Sequence, residues 1–83
     1  MRIAWTTKAV KDMRRLTIRD RERVVSKIEQ YAAGPASLAN QVSMLTGSPH
    51  RRMRVGNYRV IFTVDSHRIA VTCLSHNAAR RSA

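Results

Sequence analysis

The stretch Arg51-Arg-Met-Arg-Val-Gly-Asn-Tyr-Arg-Val-Ile-Phe-Thr-Val64 decides how this chain folds. Gly56-Asn57 reads as a two-residue hairpin connection, with glycine at the first central position as a type II′ turn prefers. A loop of that length fixes the register. Val55 then faces Tyr58, Arg54 faces Arg59, Met53 faces Val60 and Arg52 faces Ile61. Because side chains alternate across a sheet, Met53, Val55, Val60, Phe62 and Val64 are expected on one face. Arg52, Arg54, Arg59, Ile61 and Thr63 are expected on the other. Opposed like charges destabilise a ladder, and the register sets Arg54 directly against Arg59. A guanidinium is planar, permanently charged and matched to phosphate. Two of them facing each other suit an anion held between them; the competing reading is a solvated outer face in a very basic protein.

Downstream, Asp65-Ser66 reads as the next turn, and Ile69, Val71 and Cys73 alternate with Arg68, Ala70, Thr72 and Leu74. Continuous alternation puts Ile69, Val71 and Cys73 over the same core as Val60 and Phe62. Cys73 is then a small core hydrophobe. The same alternation sends Arg68 to the arginine face and His76 with it; His50 lies on that face just before Arg52.

Upstream, Arg2 to Trp5 is a short strand candidate. Thr6 or Thr7 can cap a helix in which Ala9, Val10, Met13 and Leu16 fall at helical spacing. Thr17, with Asp20 three residues on, caps a second helix that runs to about Ala33. Val24, Val25, Ile28, Tyr31 and Ala32 form its apolar stripe, and Gly34-Pro35 ends it. Gly34 to Pro49 is a connection, with Leu38, Val42, Met44 and Leu45 expected to pin it to the core. The expected architecture is α+β, in the order β-α-α-β-β-β. An antiparallel sheet packs on an N-terminal helical hairpin, in a single domain over residues 1–83. Residues 77–83 are read as a flexible or short helical tail.

The chain has 83 residues and a formal net charge of +11, from 16 Lys+Arg against 5 Asp+Glu. Thirteen of those basic residues are arginine, a bias toward phosphate or carboxylate recognition. Such a balance points to nucleic acid, an acidic protein or an anionic membrane surface. No apolar run is long enough to span a bilayer. The N-terminus has no apolar signal region, and cytoplasmic residence is the expectation. The single cysteine excludes an internal disulfide and a cysteine-based metal cluster. The three histidines are too scattered to suggest a metal site, and no cofactor is expected. Arg19, Arg23 and Lys27 recur at i, i+4 and i+8 on the second helix. They form either a solvated face or a docking surface for RNA or an acidic partner.

The element order and the run Leu45-Thr-Gly-Ser-Pro-His-Arg-Arg-Met-Arg-Val-Gly-Asn-Tyr-Arg-Val-Ile-Phe-Thr-Val64 resemble the RelE/ParE toxin superfamily of bacterial toxin–antitoxin systems. The opening Ile3-Ala-Trp-Thr-Thr-Lys-Ala-Val-Lys-Asp-Met-Arg-Arg-Leu16 is similar to the start of the same family, and the likeness extends to about His76. The resemblance implies a small basic toxin neutralised in a hetero-oligomer by a cognate antitoxin, usually encoded beside it. RelE-like members cut mRNA in the ribosomal A site; ParE-like members inhibit DNA gyrase. The fold does not choose between them. By position, Arg59 matches the arginine of the family's Tyr-Arg-hydrophobic motif that contacts the scissile phosphate. Arg54 and Arg52 match basic positions that bind the RNA backbone. His76 falls in the family's C-terminal motif. Asn77 stands where RelE-like members often keep a second arginine. The usual downstream tyrosine is absent, and Arg80 and Arg81 occupy that region.

Metal-free RNA cleavage requires a base near the 2′-hydroxyl, an acid for the leaving 5′-oxygen and positive charge on the pentacoordinate phosphate. Arg54 and Arg59 supply charge. Asp12, Asp20, Glu22, Glu29 and Asp65 fall on helices or in a turn, which leaves histidine as the acid or base. The expected catalytic set is therefore Arg59, His76 and Arg54. Arg51, Arg52, His50, Arg68, Arg19, Arg23, Lys27, Arg80 and Arg81 are expected to bind RNA. His67 reads as incidental, and Tyr58 and Trp5 as core. The expected function is a RelE-like endoribonuclease acting on mRNA at the ribosome. The alternatives are a ParE-like gyrase inhibitor, or an inactive RNA-binding member.

Overall fold

The computed structural model describes residues 2–34, 38, 40–44 and 46–76, with His76 described through its backbone. The elements are β1 (Arg2–Trp5), α1 (Thr7–Arg14), α2 (Ile18–Ala33), β2 (Val42–Met44), β3 (His50–Val55), β4 (Tyr58–Asp65) and β5 (Arg68–His76). They form an α+β fold in which one sheet, ordered β1-β5-β4-β3-β2, is covered on one face by the two helices. The expected strand, helix pair and three strands are all present. Two features differ. The connection contributes a fifth, edge strand, β2, and β1 pairs parallel with β5, so the sheet is mixed and not wholly antiparallel. β1 and β5 lie near opposite ends of the described chain, and nothing in the four residues of β1 specifies which strand they join.

Both helices begin where their caps predict. Thr6 and Thr17 are extended, and their hydroxyls accept from the N–H groups of Ala9 and Asp20, each at 3.1 Å. Lys11 and Arg14 complement the C-terminal end of α1. Gly34 follows α2 with φ −160°, an extended conformation open to any residue. The break there belongs to Pro35, which disfavours helix at its predecessor.

The core takes Ala9, Met13 and Leu16 from α1 and Val24, Ile28 and Tyr31 from α2. These pack on Met53, Val55, Val60, Phe62, Ile69, Val71 and Leu74 of the sheet. The Tyr31 ring meets Phe62 edge-on, with centroids 5.4 Å apart. Trp5 and Tyr58 pack at the margin. In the connection, Leu38 is buried and Val42 half-buried, but Met44 is 63% exposed. The edge strand carries Met44 beyond the helical cover, contrary to its expected anchoring role. Leu45 and residues 77–83 lie outside the described residues.

The consequential departure lies in β5. Its register runs Val64↔Ile69 and Phe62↔Val71, then resumes as Ile61↔Cys73 and Val60↔Leu74. Thr72 is the extra residue of a β-bulge, and beyond it the alternation inverts. Leu74 is buried, and Cys73 stands half-exposed opposite Ile61 on the uncovered face. The expected core role of Cys73 is thus corrected. β1 ends at Trp5, and the start of α1 replaces it as the neighbour of this part of β5. The Thr6 N–H donates to the Val71 carbonyl at 3.1 Å. The Thr6 hydroxyl donates to the Thr72 carbonyl at 2.7 Å, and the Asp12 carboxylate accepts from the Leu74 N–H at 3.0 Å.

Asp12 is itself 8% exposed and paired with Lys8 at 3.0 Å. Burial works against its charge, but the Leu74 N–H and the Lys8 ammonium outweigh it and hold the carboxyl below its ordinary pKa. Replacing it by alanine leaves the Leu74 N–H without this acceptor, at a cost of about 1–3 kcal/mol. Urea unfolding of Asp12→Ala is expected to show that loss. A lowered folded pKa stabilises the protein above the unfolded value of ~3.9, and the contribution fades as pH falls through the folded value. Asp12→Asn should flatten the acid limb of the stability curve. An unshifted unfolding midpoint in Asp12→Ala would show that β5 does not depend on this bond.

Candidate functional site

The uncovered face of the sheet carries the arginines. The β3–β4 register is Val55↔Tyr58, Arg54↔Arg59, Met53↔Val60 and Arg52↔Ile61, as the two-residue loop predicts. Gly56 has φ +57°, and no described non-glycine residue has positive φ, so the turn has the φ signs of type II′. The parity is also as expected. Met53, Val55, Val60 and Phe62 are buried under the helices, which turns Arg52, Arg54 and Arg59 outward.

Two neighbouring rungs of this face form the site. One reads Arg54–Arg59–Ser75 across β3, β4 and β5; the other reads Ser43–Arg52–Ile61–Cys73 across β2 to β5. Directly opposed residues stand about 5 Å apart and successive outward residues about 7 Å apart, so three arginines converge within one phosphate's reach. They form one side of a groove of about 390 Å³, and Asn40, Gln41 and Ser43 form the other. Its charged lining is entirely cationic, joined by amide and hydroxyl groups that donate and accept. No ion pair involving Arg52 or Arg54 is present among the described residues. Such a surface favours a phosphate-bearing ligand by charge and by guanidinium geometry.

The remaining expected residues are not all brought here. Arg51 is one step out of phase with Arg52. It pairs with Phe62 on the helical side, and its Nη1 donates to the Tyr31 hydroxyl at 2.7 Å. Its expected place in the phosphate-binding set is therefore corrected: it ties β3 to α2. His50 is on the arginine side of the sheet, paired with Thr63, ~13 Å along the strand from Arg54. Its Nδ1 lies 3.0 Å from the Ser48 hydroxyl, which also accepts the His50 N–H. Arg68 is on the same side but pairs with Asp65, ~20 Å from Arg59. His76 pairs with Tyr58 in the backbone register, beyond the bulge. The extra residue at Thr72 breaks the continuous alternation from which its place on the arginine face was expected.

Arg19, Arg23 and Lys27 belong to α2 and so stand on the far side of the sheet. Arg23 reaches the hairpin turn, where a Cβ added to Gly56 would lie 3.0 Å from its Nη1. Beside it the Tyr58 hydroxyl bonds Asp20; burial and that carboxylate raise the tyrosine pKa. Arg80 and Arg81 lie outside the described residues. Ser75 is the residue that sequence reading missed on the arginine rung, together with Asn40, Gln41 and Ser43 of the groove wall. Strict alternation buries Ser75 and exposes Leu74. The wrong polarity of both was the available signal for the bulge.

Residues 3–79 match the family model described as the ParE toxin of type II toxin–antitoxin systems, parDE. No curated protein matches the chain by sequence. Among solved structures, the archaeal RelE–RelB complex from Pyrococcus horikoshii OT3 contains a chain 23% identical, with a TM-score of 0.79. The match covers 98% of this chain and 97% of that one. The E. coli RelBE toxin–antitoxin complex gives 21% identity and a TM-score of 0.74 over 90% and 94% of the two chains. A YafQ mutant from E. coli gives 15% identity and 0.68 over 99% and 100%.

Proposed function

Because the chain belongs to the ParE toxin family of type II toxin–antitoxin systems, we propose that it is a RelE-like toxin which cleaves mRNA on the ribosome and is silenced by a cognate antitoxin. The observation that carries this reading is the opposed Arg54–Arg59 pair, with Arg52 one rung behind, in an uncovered groove. In metal-free cleavage the 2′-oxygen attacks the adjacent phosphorus, the bond to the 5′-oxygen breaks, and a 2′,3′-cyclic phosphate remains. The proton lost by the 2′-hydroxyl goes to water or a group of the ribosomal site, and water returns one to the leaving oxygen. Negative charge peaks on the phosphorane, where Arg54 and Arg59 stabilise it. No imidazole or carboxylate lines the groove among the described residues. The ribosome supplies orientation, which can replace much of a built-in constellation.

That same lack of an acid or base favours the second reading, a ParE-like inhibitor of gyrase, which needs neither. Primer extension on ribosome-bound mRNA and a gyrase supercoiling assay with the same purified protein separate the two. New 5′ ends with normal supercoiling support cleavage. Intact mRNA with blocked supercoiling overturns it in favour of gyrase.

The solved toxin–antitoxin complexes of similar chains support a cognate antitoxin here. An acidic or amphipathic segment would neutralise the basic surface. Poor growth is expected when this chain is expressed alone, with recovery when the neighbouring gene is added; normal growth at high expression would contradict toxicity. A ribosomal target also places the protein in the cytoplasm. Among the described residues no helix is long and apolar enough to cross a membrane.

A further inference from the structure

The uncovered face carries a second arginine pair at its other end. β1 and β5 run parallel with Arg2 beside Arg68, and both residues are exposed. Neighbouring strands lie about 4.8 Å apart, so two like charges again occupy adjacent positions against the usual preference. Arg2 is anchored: its N–H donates to the His67 carbonyl at 3.0 Å. The register neighbour of Arg68, Asp65, instead takes the Ser66 N–H at 2.9 Å, and no ion pair to Arg2 or Arg68 is present among the described residues. Between the two ends lie two rungs: one carries Arg52, Ile61 and Cys73, and the next carries the short side chains Thr63, Ala70 and Ala4.

We propose that Arg2 and Arg68 form a second phosphate-binding point, and that an RNA backbone is held at both ends of this face. The proposal rests on the RNA reading given above. The separation of ~20 Å corresponds to about six nucleotides of a stacked strand at ~3.4 Å each. Guanidinium forks at both ends suit phosphates. The phosphates belong either to the strand gripped by Arg54 and Arg59 or to an adjoining ribosomal RNA strand.

The test uses the full chain, as wild type and as the double variants Arg2→Gln/Arg68→Gln and Arg54→Gln/Arg59→Gln. Fluorescence anisotropy with a labelled oligouridylate of about twelve nucleotides, and with a trinucleotide, is measured across a KCl series; sedimentation with ribosomes is a parallel arm. One strand crossing the face predicts that Arg2→Gln/Arg68→Gln lowers the salt slope on the longer RNA by about 1.4, from two contacts at ~0.7 each. Trinucleotide binding is then unchanged. An unchanged slope with weakened ribosome binding also supports the site and assigns it to a separate ribosomal strand. Wild-type binding by this variant in every arm overturns the proposal. Failure of the RNA reading itself is seen separately, as a wild-type chain that binds neither oligouridylate nor ribosomes.

Discussion

Arg59→Ala is expected to lower the rate of mRNA cleavage on programmed ribosomes by about 10²–10³-fold, the usual consequence of removing one group aimed at developing oxyanion charge. Arg59 sits on the central strand of the site, flanked by Arg54 on β3 and Ser75 on β5, and it lines the groove. Single-turnover primer extension reads the effect, with ribosome binding measured alongside to separate affinity from rate. Arg54→Gln supplies the control for a purely structural role. It removes charge from an exposed position whose cross-strand neighbour is also cationic. Opposed like charges cost a few tenths of a kcal/mol, so its melting temperature should stay level or rise while activity falls. Equal cutting by Arg59→Ala, or a melting temperature that falls in step with activity in Arg54→Gln, would move the arginines from chemistry to structure.

Phe62→Ala is expected to take away about a quarter or more of the folding stability. Phe62 is fully buried in β4, where the Tyr31 ring packs against it. Truncating a buried phenylalanine costs about 3–5 kcal/mol through lost transfer energy and the cavity left behind. At about 0.05–0.15 kcal/mol per residue, a chain of this length holds only ~4–12 kcal/mol in total. Urea titration followed by Trp5 fluorescence should show a midpoint well below that of the wild type. Any loss of toxicity in Phe62→Ala then comes with lost stability, whereas Arg59→Ala keeps its midpoint. A Phe62→Ala protein with a near-native midpoint would mean that the helices and sheet are held together elsewhere.

Much of this architecture is legible locally. Gly56-Asn57 sets the hairpin register, and that register alone turns Arg52, Arg54 and Arg59 to one side. Thr6 and Thr17 mark the helix starts, and Val24, Ile28 and Tyr31 mark the buried stripe of α2. Each signal acts over a few residues, through turn geometry, side-chain alternation or a cap bonding its own first turn. The run of basic residues from Arg51 suggests a common purpose, but the pleat separates neighbours at every step and turns Arg51 to the helices.

The helical pair, the hairpin and the arginine pair that meets across it can be read from local signals, because they depend on contacts between near neighbours in the chain. The facing of the second half of β5 comes from contacts made across the folded molecule. The bulge at Thr72 is bonded by Thr6, and the inverted stretch after it by Asp12, groups from the other end of the molecule that no periodicity in β5 can reveal. Those distant bonds put Leu74 in the core and Ser75 beside Arg59, and they therefore set which side chains join the arginines.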